Sequence, residues 1–581
     1  MAAVEKLVTD HLDLWTAAIK RKSGAGRGLS SKVELYGIKK LRGLILELAV
    51  RGLLVQQHPI DEPAGELLKK IAAEKAKRVE EGRRKKDKVL PPVDTKEKTF
   101  ELPRGWLWER FGNLAEHNAG KTLDQGRNQG TLRDYITTSN LYWGRFDLIA
   151  VRQMPIEDVD LEKCLAVKND LLICEGGDAG RSAVWSHDQP ICFQNHIHRA
   201  RFWEGISPYY AYRLLESMSY SGKINNYRKG VGISNMSGKA LGSIPFPLPP
   251  LAEQHRIVAK VDELMVLCDQ LEQQTRTSLS VHQTLVETLL NALTAASNNA
   301  RFTSAWQHIA EHFDTLFTTE ESIDQLKLTI LQLAVTGKLV SQDPKDEPAS
   351  ELLKKISSEK TKLVKAGKSK DQLPVEPMGE PQTLPATWVE IVVQDFADIR
   401  LGSTPSRTEP RFWDGDIPWV SSGEVANCVI KDTFEKITQE GFKNSSTSMI
   451  PARSLLMAII GQGKTRGQTA LLEIDACTNQ NVAAFVFNER FVSPEYVWIW
   501  AKSKYESHRD DGHGGAQPAL NGKKVRSFRF PLAPIEEQRR IVAKVDELIA
   551  LCEQLKSRLK DSQTTQLHLA DALTEKSLAR G

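Results

Sequence analysis

Two blocks of sequence each occur twice at one offset, so this chain must fold as two copies of a single frame. PLPPLAEQHRIVAKVDELMVLCDQLE, ending at Glu272, returns as PLAPIEEQRRIVAKVDELIALCEQLK, ending at Lys556. LELAVRGLLVQQHPIDEPAGELLKKI (residues 46–71) returns as LQLAVTGKLVSQDPKDEPASELLKKI (residues 331–356), again about 285 residues on. The segments between the repeats have diverged heavily. Nearly fixed frames around unlike inserts predict a scaffold that presents two separate readers.

The repeated EQ-RIVAKVDEL segments read as helix. Apolar residues fall at Ile257, Val261, Leu264, Cys268 and Leu271, and at Ile541, Val545, Leu548, Cys552, Leu555 and Leu559, in alternating steps of four and three. That narrow seam suits helices pairing with helices, and the matched Cys268 and Cys552 read as small buried hydrophobes. Prolines followed by acidic residues in PLPPLAEQ and PLAPIEEQ mark a stop and a helix start. Each helix reaches about 40 residues, on the order of 60 Å. ILELAVRG and ILQLAVTG are helical too, with Gly52 and Gly337 as their C-caps. In the second half this block follows a long helix directly. In the first half it stands at the amino terminus with no long helix before it. Its missing partner is the helix running from Glu536 to about Leu578, so the chain reads as circularly permuted about its own repeat, with a pseudo-two-fold axis and the N-terminal arm packed on the C-terminal helix.

At 581 residues, 40% hydrophobic and 26% charged, the chain is sized for several ordinary globular domains. The net charge of +4 permits nucleic-acid binding without itself indicating it. The clusters RRKKDK (83–88) and KAGKSK (365–370) read as solvated helix ends and linkers, with contact to backbone phosphates as the alternative. No basic leader precedes an apolar run, no stretch suits a membrane span, and the seven cysteines form no CxxC pair. These features predict a cytoplasmic protein with reduced thiols. The expected division is a helical N-terminal arm (1–98), a first insert domain (99–250), a central helical region (251–380), a second insert domain (381–534) and a C-terminal helix (535–581). The fold class is α+β. Each insert opens with Leu-Pro and a nearby tryptophan (Leu102, Pro103, Trp106; Leu384, Pro385, Trp388), then shows short β-rich runs separated by glycines.

Aligned as strings, the inserts share a skeleton. NDLLICEGGDAGRSAVW faces RSLLMAIIGQGKTRGQTALL, and ICFQNHIHRARF faces ACTNQNVAAFVF, matching Gln194-Asn195 with Gln480-Asn481. GISNMSGKALGSIPFPLPPLAEQHRIV faces GAQPALNGKKVRSFRFPLAPIEEQRRIV. This series resembles the specificity subunits of type I restriction–modification enzymes, nearly end to end and twice over. The resemblance implies two mixed α/β target-recognition domains separated by long helices that pair as an antiparallel coiled coil. Each domain would read one half of a split double-stranded DNA site while the helices set the gap. It also implies a non-catalytic chain that docks two methyltransferase subunits and, through them, two motor-nuclease subunits. No cofactor is expected on this chain; S-adenosylmethionine and ATP with Mg are expected on the partners. The role of the DEPA-ELLKKI arms stays open.

A reader needs polar side chains for base edges and cations for phosphates. Loop contexts supply Lys121, Arg127, Asn140, Tyr142, Arg145 and Arg181 in the first insert. The second supplies Arg400, Ser403, Thr404, Arg407, Arg411, Ser421, Ser422, Gln462, Lys464 and Arg466. Residues 458–465, AIIGQGKT, loosely fit a phosphate loop, which would make the chain an ATPase using Lys464. Against this, the first insert has CEGGDAGR there, and the residues after the loop read as strands rather than a helix. The paired Gln-Asn amides could read adenine, but recurrence in two domains that read different sequences favours a structural role. His196 and His198 would face Val482 and Ala484 and have no neighbouring ligand cluster, so no metal is expected. Gly238-Lys239 and Gly522-Lys523 fit phosphate contact or a turn before the last strand. No adenine-methyltransferase tetrapeptide, HExxH, GxSxG or nuclease constellation is present. A bivalent protein scaffold that binds no DNA is the remaining alternative.

Overall fold

The structure is a computed structural model that describes the chain except for residues 1–5, 7–8, 23–31, 83–88, 123–127, 231–233, 368–372, 462–464, 511–519 and 580–581. Six helices make the repeated frame: α1 (Tyr36–Val50), α2 (Ala64–Glu80), α3 (Leu251–Ala295), α4 (Glu320–Val335), α5 (Ala349–Lys365) and α6 (Ile535–Ala579). The long helices α3 and α6 are 45 residues each. The chain divides into two compact units, one of residues 1–278 with 562–581 and one of residues 279–561.

In the first unit the N-terminal α1 packs on the end of α6, as the permuted repeat requires. The Tyr36 hydroxyl donates to Asp571 at 2.8 Å, and Lys40 pairs with the same carboxylate at 2.7 Å. Arg42 reaches Asp269 and Glu272 of α3 at 2.7 and 2.8 Å. In the second unit α4 repeats the arrangement, with Asp324 on Lys556 at 2.8 Å and Lys327 on Glu553. One core cluster there joins Val286, Leu290 and Leu293 of α3 to Ile323, Leu326 and Ile330 of α4 and to Ile541, Val545 and Cys552 of α6. The expected stripe residues Ile257, Val261, Leu264 and Cys268 are likewise buried in the first unit.

Both C-cap glycines adopt the left-handed conformation, Gly52 at φ 72° and Gly337 at φ 70°. A Cβ would be strained there and would also lie 2.5 Å from Pro103 or 2.4 Å from Pro385, the prolines that open each insert. The arms find a place in this scheme. Asp61, just before α2, pairs with Arg256 of α3 at 2.6 Å, and Asp346, just before α5, pairs with Arg540 of α6 at 2.7 Å. The first amide of each arm helix then donates to the insert domain, Ala64 to the Gly105 carbonyl and Ala349 to that of Thr387, both at 2.9 Å. Each arm thus braces its domain against the head of a long helix.

Each insert is a mixed α/β domain closed at its base by an antiparallel pair, Leu107–Arg110 with Pro245–Leu248 and Val389–Val392 with Arg529–Leu532. The first domain holds an antiparallel sheet in the order Ser182–Val184, Leu171–Cys174, Ile197–Phe202, Ala115–Ala119. A second sheet runs Arg152–Ile156, Thr131–Ile136, Ile191–Phe193, Leu165–Ala166, with its central pair parallel. The second domain enlarges the first sheet to five strands and keeps three in the other, where Trp413–Val420 runs parallel to Cys477–Thr478. The helices Pro208–Tyr220 and Pro494–Ser503 pack beside these sheets, each capped by the preceding serine.

Candidate nucleic-acid interface

The repeated Glu-Gln pair explains how two dissimilar domains share one socket. Trp106 donates its indole N–H to Glu253 at 2.9 Å, and Trp388 does the same to Glu537 at 2.9 Å. Gln254 accepts from the Ser207 amide at 2.7 Å, and Gln538 from that of Ser493 at 2.8 Å. Burial raises the carboxyl pKa of both glutamates. The socket is identical in the two halves, so what distinguishes the domains lies in their outer loops.

In the first domain the loop residues separate into two groups. Asn140 is only 6% exposed: its side-chain oxygen accepts from the Thr137 amide and hydroxyl at 3.0 Å each. Its amide nitrogen donates to the carbonyls of Asp147 and Ala150 at 3.0 and 3.3 Å. It therefore ties the turn together and offers nothing to a base edge. Lys121 is ion-paired with Asp160, and its amide donates to the Phe193 carbonyl at 3.1 Å. Tyr142, Arg145 and Arg181 do come together: the guanidinium groups lie 4.5 and 5.5 Å from the Tyr142 ring, and Arg181 donates to the Thr138 carbonyl at 2.7 Å. Arg127 lies outside the described residues.

In the second domain Arg407 stacks 3.8 Å over Trp413 and 5.2 Å from Trp419, with its outer edge on Glu435. Arg411 pairs with Glu409 and Glu440 at 3.1 and 3.0 Å. Ser421 gives its amide and hydroxyl to Glu424 at 2.7 and 2.9 Å, while Ser422 follows it in the turn. Thr404 donates to the Gln480 side chain, and the Ser403 amide to the Thr478 carbonyl at 2.9 Å. Arg400 pairs with Asp398 at 2.9 Å and lines a cavity together with residues of α5, whereas Arg407 sits on the tryptophans. Arg466 sits half-buried in a turn; Gln462 and Lys464 lie outside the described residues. The Trp413–Trp419 platform, Glu424 and Glu435 escaped sequence reasoning; two tryptophans six apart among arginines were the available signal.

Strand register corrects one alignment. The Gln194 amide donates to the Ile136 carbonyl and the Asn479 amide to that of Val420, both at 3.0 Å. Gln194 thus corresponds to Asn479, not Gln480, and the expected pairing of Gln194-Asn195 with Gln480-Asn481 is one residue out. Consequently His196 and His198 correspond to Asn481 and Ala483 rather than Val482 and Ala484. A one-residue slip turns every strand side chain to the other face, which matching strings cannot detect. His198 points inward, 3.2 Å from the Met236 carbonyl and 3.7 Å from Glu175. Among the described residues no three His, Cys, Asp or Glu side chains are grouped to hold a metal. Gly238-Lys239 and Gly522-Lys523 open short helices, Gly238–Gly242 and Gly522–Ser527, just before the last strand of each domain. The loop after Ala458 joins two antiparallel strands, Leu455 opposite Leu471, so it lacks the following helix on which a nucleotide-cradling loop depends.

The family model for the type I restriction modification DNA specificity domain matches residues 103–280 and again 385–562. The chain is 38% identical over 615 residues to the type I restriction enzyme EcoAI specificity subunit of Escherichia coli, covering 99% of this chain and 100% of that one. It is 36% identical over 617 residues to the EcoEI specificity subunit of the same organism, with 99% and 100% covered. Among solved structures, the HsdS subunit from Thermoanaerobacter tengcongensis is similar at 16% identity and a TM-score of 0.42, over 83% of this chain and 99% of that one. No described helix is long and apolar enough to cross a membrane.

Proposed function

The chain belongs to the DNA specificity subunits of type I restriction–modification systems, and from that premise we propose that its two insert domains each read one half of a split DNA site. The observation that carries this reading is the contrast between socket and loops. Trp106–Glu253 and Trp388–Glu537 hold the domains identically, whereas Tyr142, Arg145 and Arg181 in one and Arg407 with Trp413 in the other are unlike. Equal mounting with unequal reading surfaces is what two different half-sites require. The frame helices hold the gap, which for readers docked along one duplex is measured in turns of about 34 Å. Their remaining surfaces dock two methyltransferase subunits and, through these, two motor-nuclease subunits. S-adenosylmethionine, and ATP with Mg, belong to those partners, and this chain is a non-catalytic reader. The adenine to be modified would be extruded from the stack by the methyltransferase.

A methylation map of host DNA with and without this chain tests the reading. One split adenine-methylated motif should vanish when the chain is removed; an unchanged map would refute it.

A further inference from the structure

Both domains carry, in the same loop of the fold though two register positions apart, a bulky apolar side chain that is almost fully exposed. Ile149 is 96% exposed and Phe434 is 93% exposed. Each sits in the loop that leads into the outer strand of the second sheet, Arg152–Ile156 or Glu435–Ile437. A single exposed apolar residue is unremarkable on any surface. Here, however, a buried or half-buried polar device stands behind each one. In the second domain Glu424 uses one carboxylate oxygen to hold the Ser421 turn, and its other oxygen accepts the amide of Phe434 itself at 2.9 Å. Thr433, next to it, donates to the Glu435 carbonyl at 2.7 Å and accepts from the Trp419 amide at 3.3 Å. In the first domain Asn140 occupies the corresponding place, holding the Thr137 turn with its oxygen and the Asp147 and Ala150 carbonyls with its nitrogen. The Ile149 amide donates to Asp147 at 3.1 Å. Two diverged sequences therefore use different chemistry, a carboxylate and an amide, to fix the same loop, whose exposed apolar residue stands one place before the outer strand in the second domain and three places before it in the first.

The cations identify the occupant. Arg181 touches the first turn through the Thr138 carbonyl, and Arg407 on its tryptophan platform grips Glu435, the residue after Phe434. Carboxylates near the second tip are engaged, Asp432 by Lys436 at 3.3 Å and Glu435 by Arg407. A fixed, exposed apolar tip in a loop that lies near an arginine-bearing turn suits a duplex, whose phosphates run along the domain while a side chain enters between bases.

We infer that Phe434 and Ile149 are apolar wedges, each pressed into a base step of the half-site its domain reads and partly unstacking it. The inference rests on the functional reading above. It assigns these side chains to indirect readout: steps that unstack easily favour the wedge and stiff ones resist it.

The test uses the full chain assembled with its methyltransferase partner and duplexes bearing the mapped site, with 2-aminopurine placed at successive steps. The wild-type assembly should raise fluorescence at one step in each half. Phe434→Ala should abolish the rise in the second half alone and weaken binding roughly tenfold, the range expected for losing one buried Phe contact. The salt dependence of binding should be unchanged, because no phosphate contact is removed. Phe434→Leu should restore part of both signals, and Ile149→Ala should act only on the first half. Wild-type affinity and fluorescence in Phe434→Ala would overturn the wedge, as would a wild-type complex with no unstacked step. Failure of the wild-type assembly to bind any split site would overturn the functional reading itself, and is visible before any variant is made.

Discussion

At the scale of single residues, burial decides which polar groups read and which merely hold. Asn140 and Arg145 lie five positions apart in one loop region and looked alike as polar residues in a β-rich insert. Asn140→Ala should destabilise the first domain by about 1–3 kcal/mol, since it strands the buried Thr137 amide and two carbonyls. Arg145→Ala should leave the melting curve unchanged and weaken DNA binding with a shallower salt dependence. Melting and salt titration of both variants separate the roles, and equal melting points would refute the distinction. The candidate readers were legible as residue types, but their direction was not. Direction depends on which partner lies behind each loop, and Asn140 meets its partners only after the sheet has formed. His508 makes a second case. It stacks on Phe528 at 4.1 Å and is buried against Trp500, which pushes its pKa down to about 3. The unfolded chain binds a proton below about pH 6.5 and the folded one does not, so stability is lost as pH falls from there toward the folded value. Between pH 7 and pH 5 the cost is about 2 kcal/mol. His508→Phe should remove that acid sensitivity from the second unit, as hydrogen exchange over residues 494–503 would report; an unchanged pH dependence would sink the assignment.

Elements were the most legible level, because helices advertise themselves through periodicity and punctuation. The stripe from Ile257 to Cys268 is buried as its spacing demands, and both C-cap glycines are left-handed. What periodicity could not show was why glycine recurs at Gly52 and Gly337, since the proline each one faces lies about 50 residues further on. Gly52→Ala and Gly337→Ala each meet two penalties, a left-handed backbone costing on the order of 1–2 kcal/mol and a clash with Pro103 or Pro385. Each should therefore destabilise its own unit by more than the backbone term alone, with similar size in the two. Hydrogen exchange resolved by segment would check this; loss confined to one of the two variants would contradict the equivalence of the sockets. The strands of the inserts were legible as strands but not in register. The slip at Gln194 and Asn479 shows that a conserved pair of letters is weaker evidence of equivalence than one shared amide-to-carbonyl bond.

For the whole molecule, duplication means that reading and mounting are separable. The mounting is carried by Trp106, Glu253, Gln254 and the base strands in one half, and by Trp388, Glu537, Gln538 and their strands in the other, with matching distances. An insert moved to the opposite socket meets the same Glu-Gln pair, so its outer loops should fold unchanged. Exchanging residues 99–250 with 381–534 should therefore yield a chain that assembles normally. In the methylation map the two halves of the split motif should change places, with the gap between them preserved. In the proposed arrangement the gap is set by the frame helices, which the exchange leaves untouched. Adding one helical turn to the frame should do the reverse, altering the gap and neither half. If the exchanged chain assembles yet modifies the original motif, the specificity does not reside in the inserts. If its two halves survive but the gap moves, the spacing is set by the domains and not by the helices that carry them.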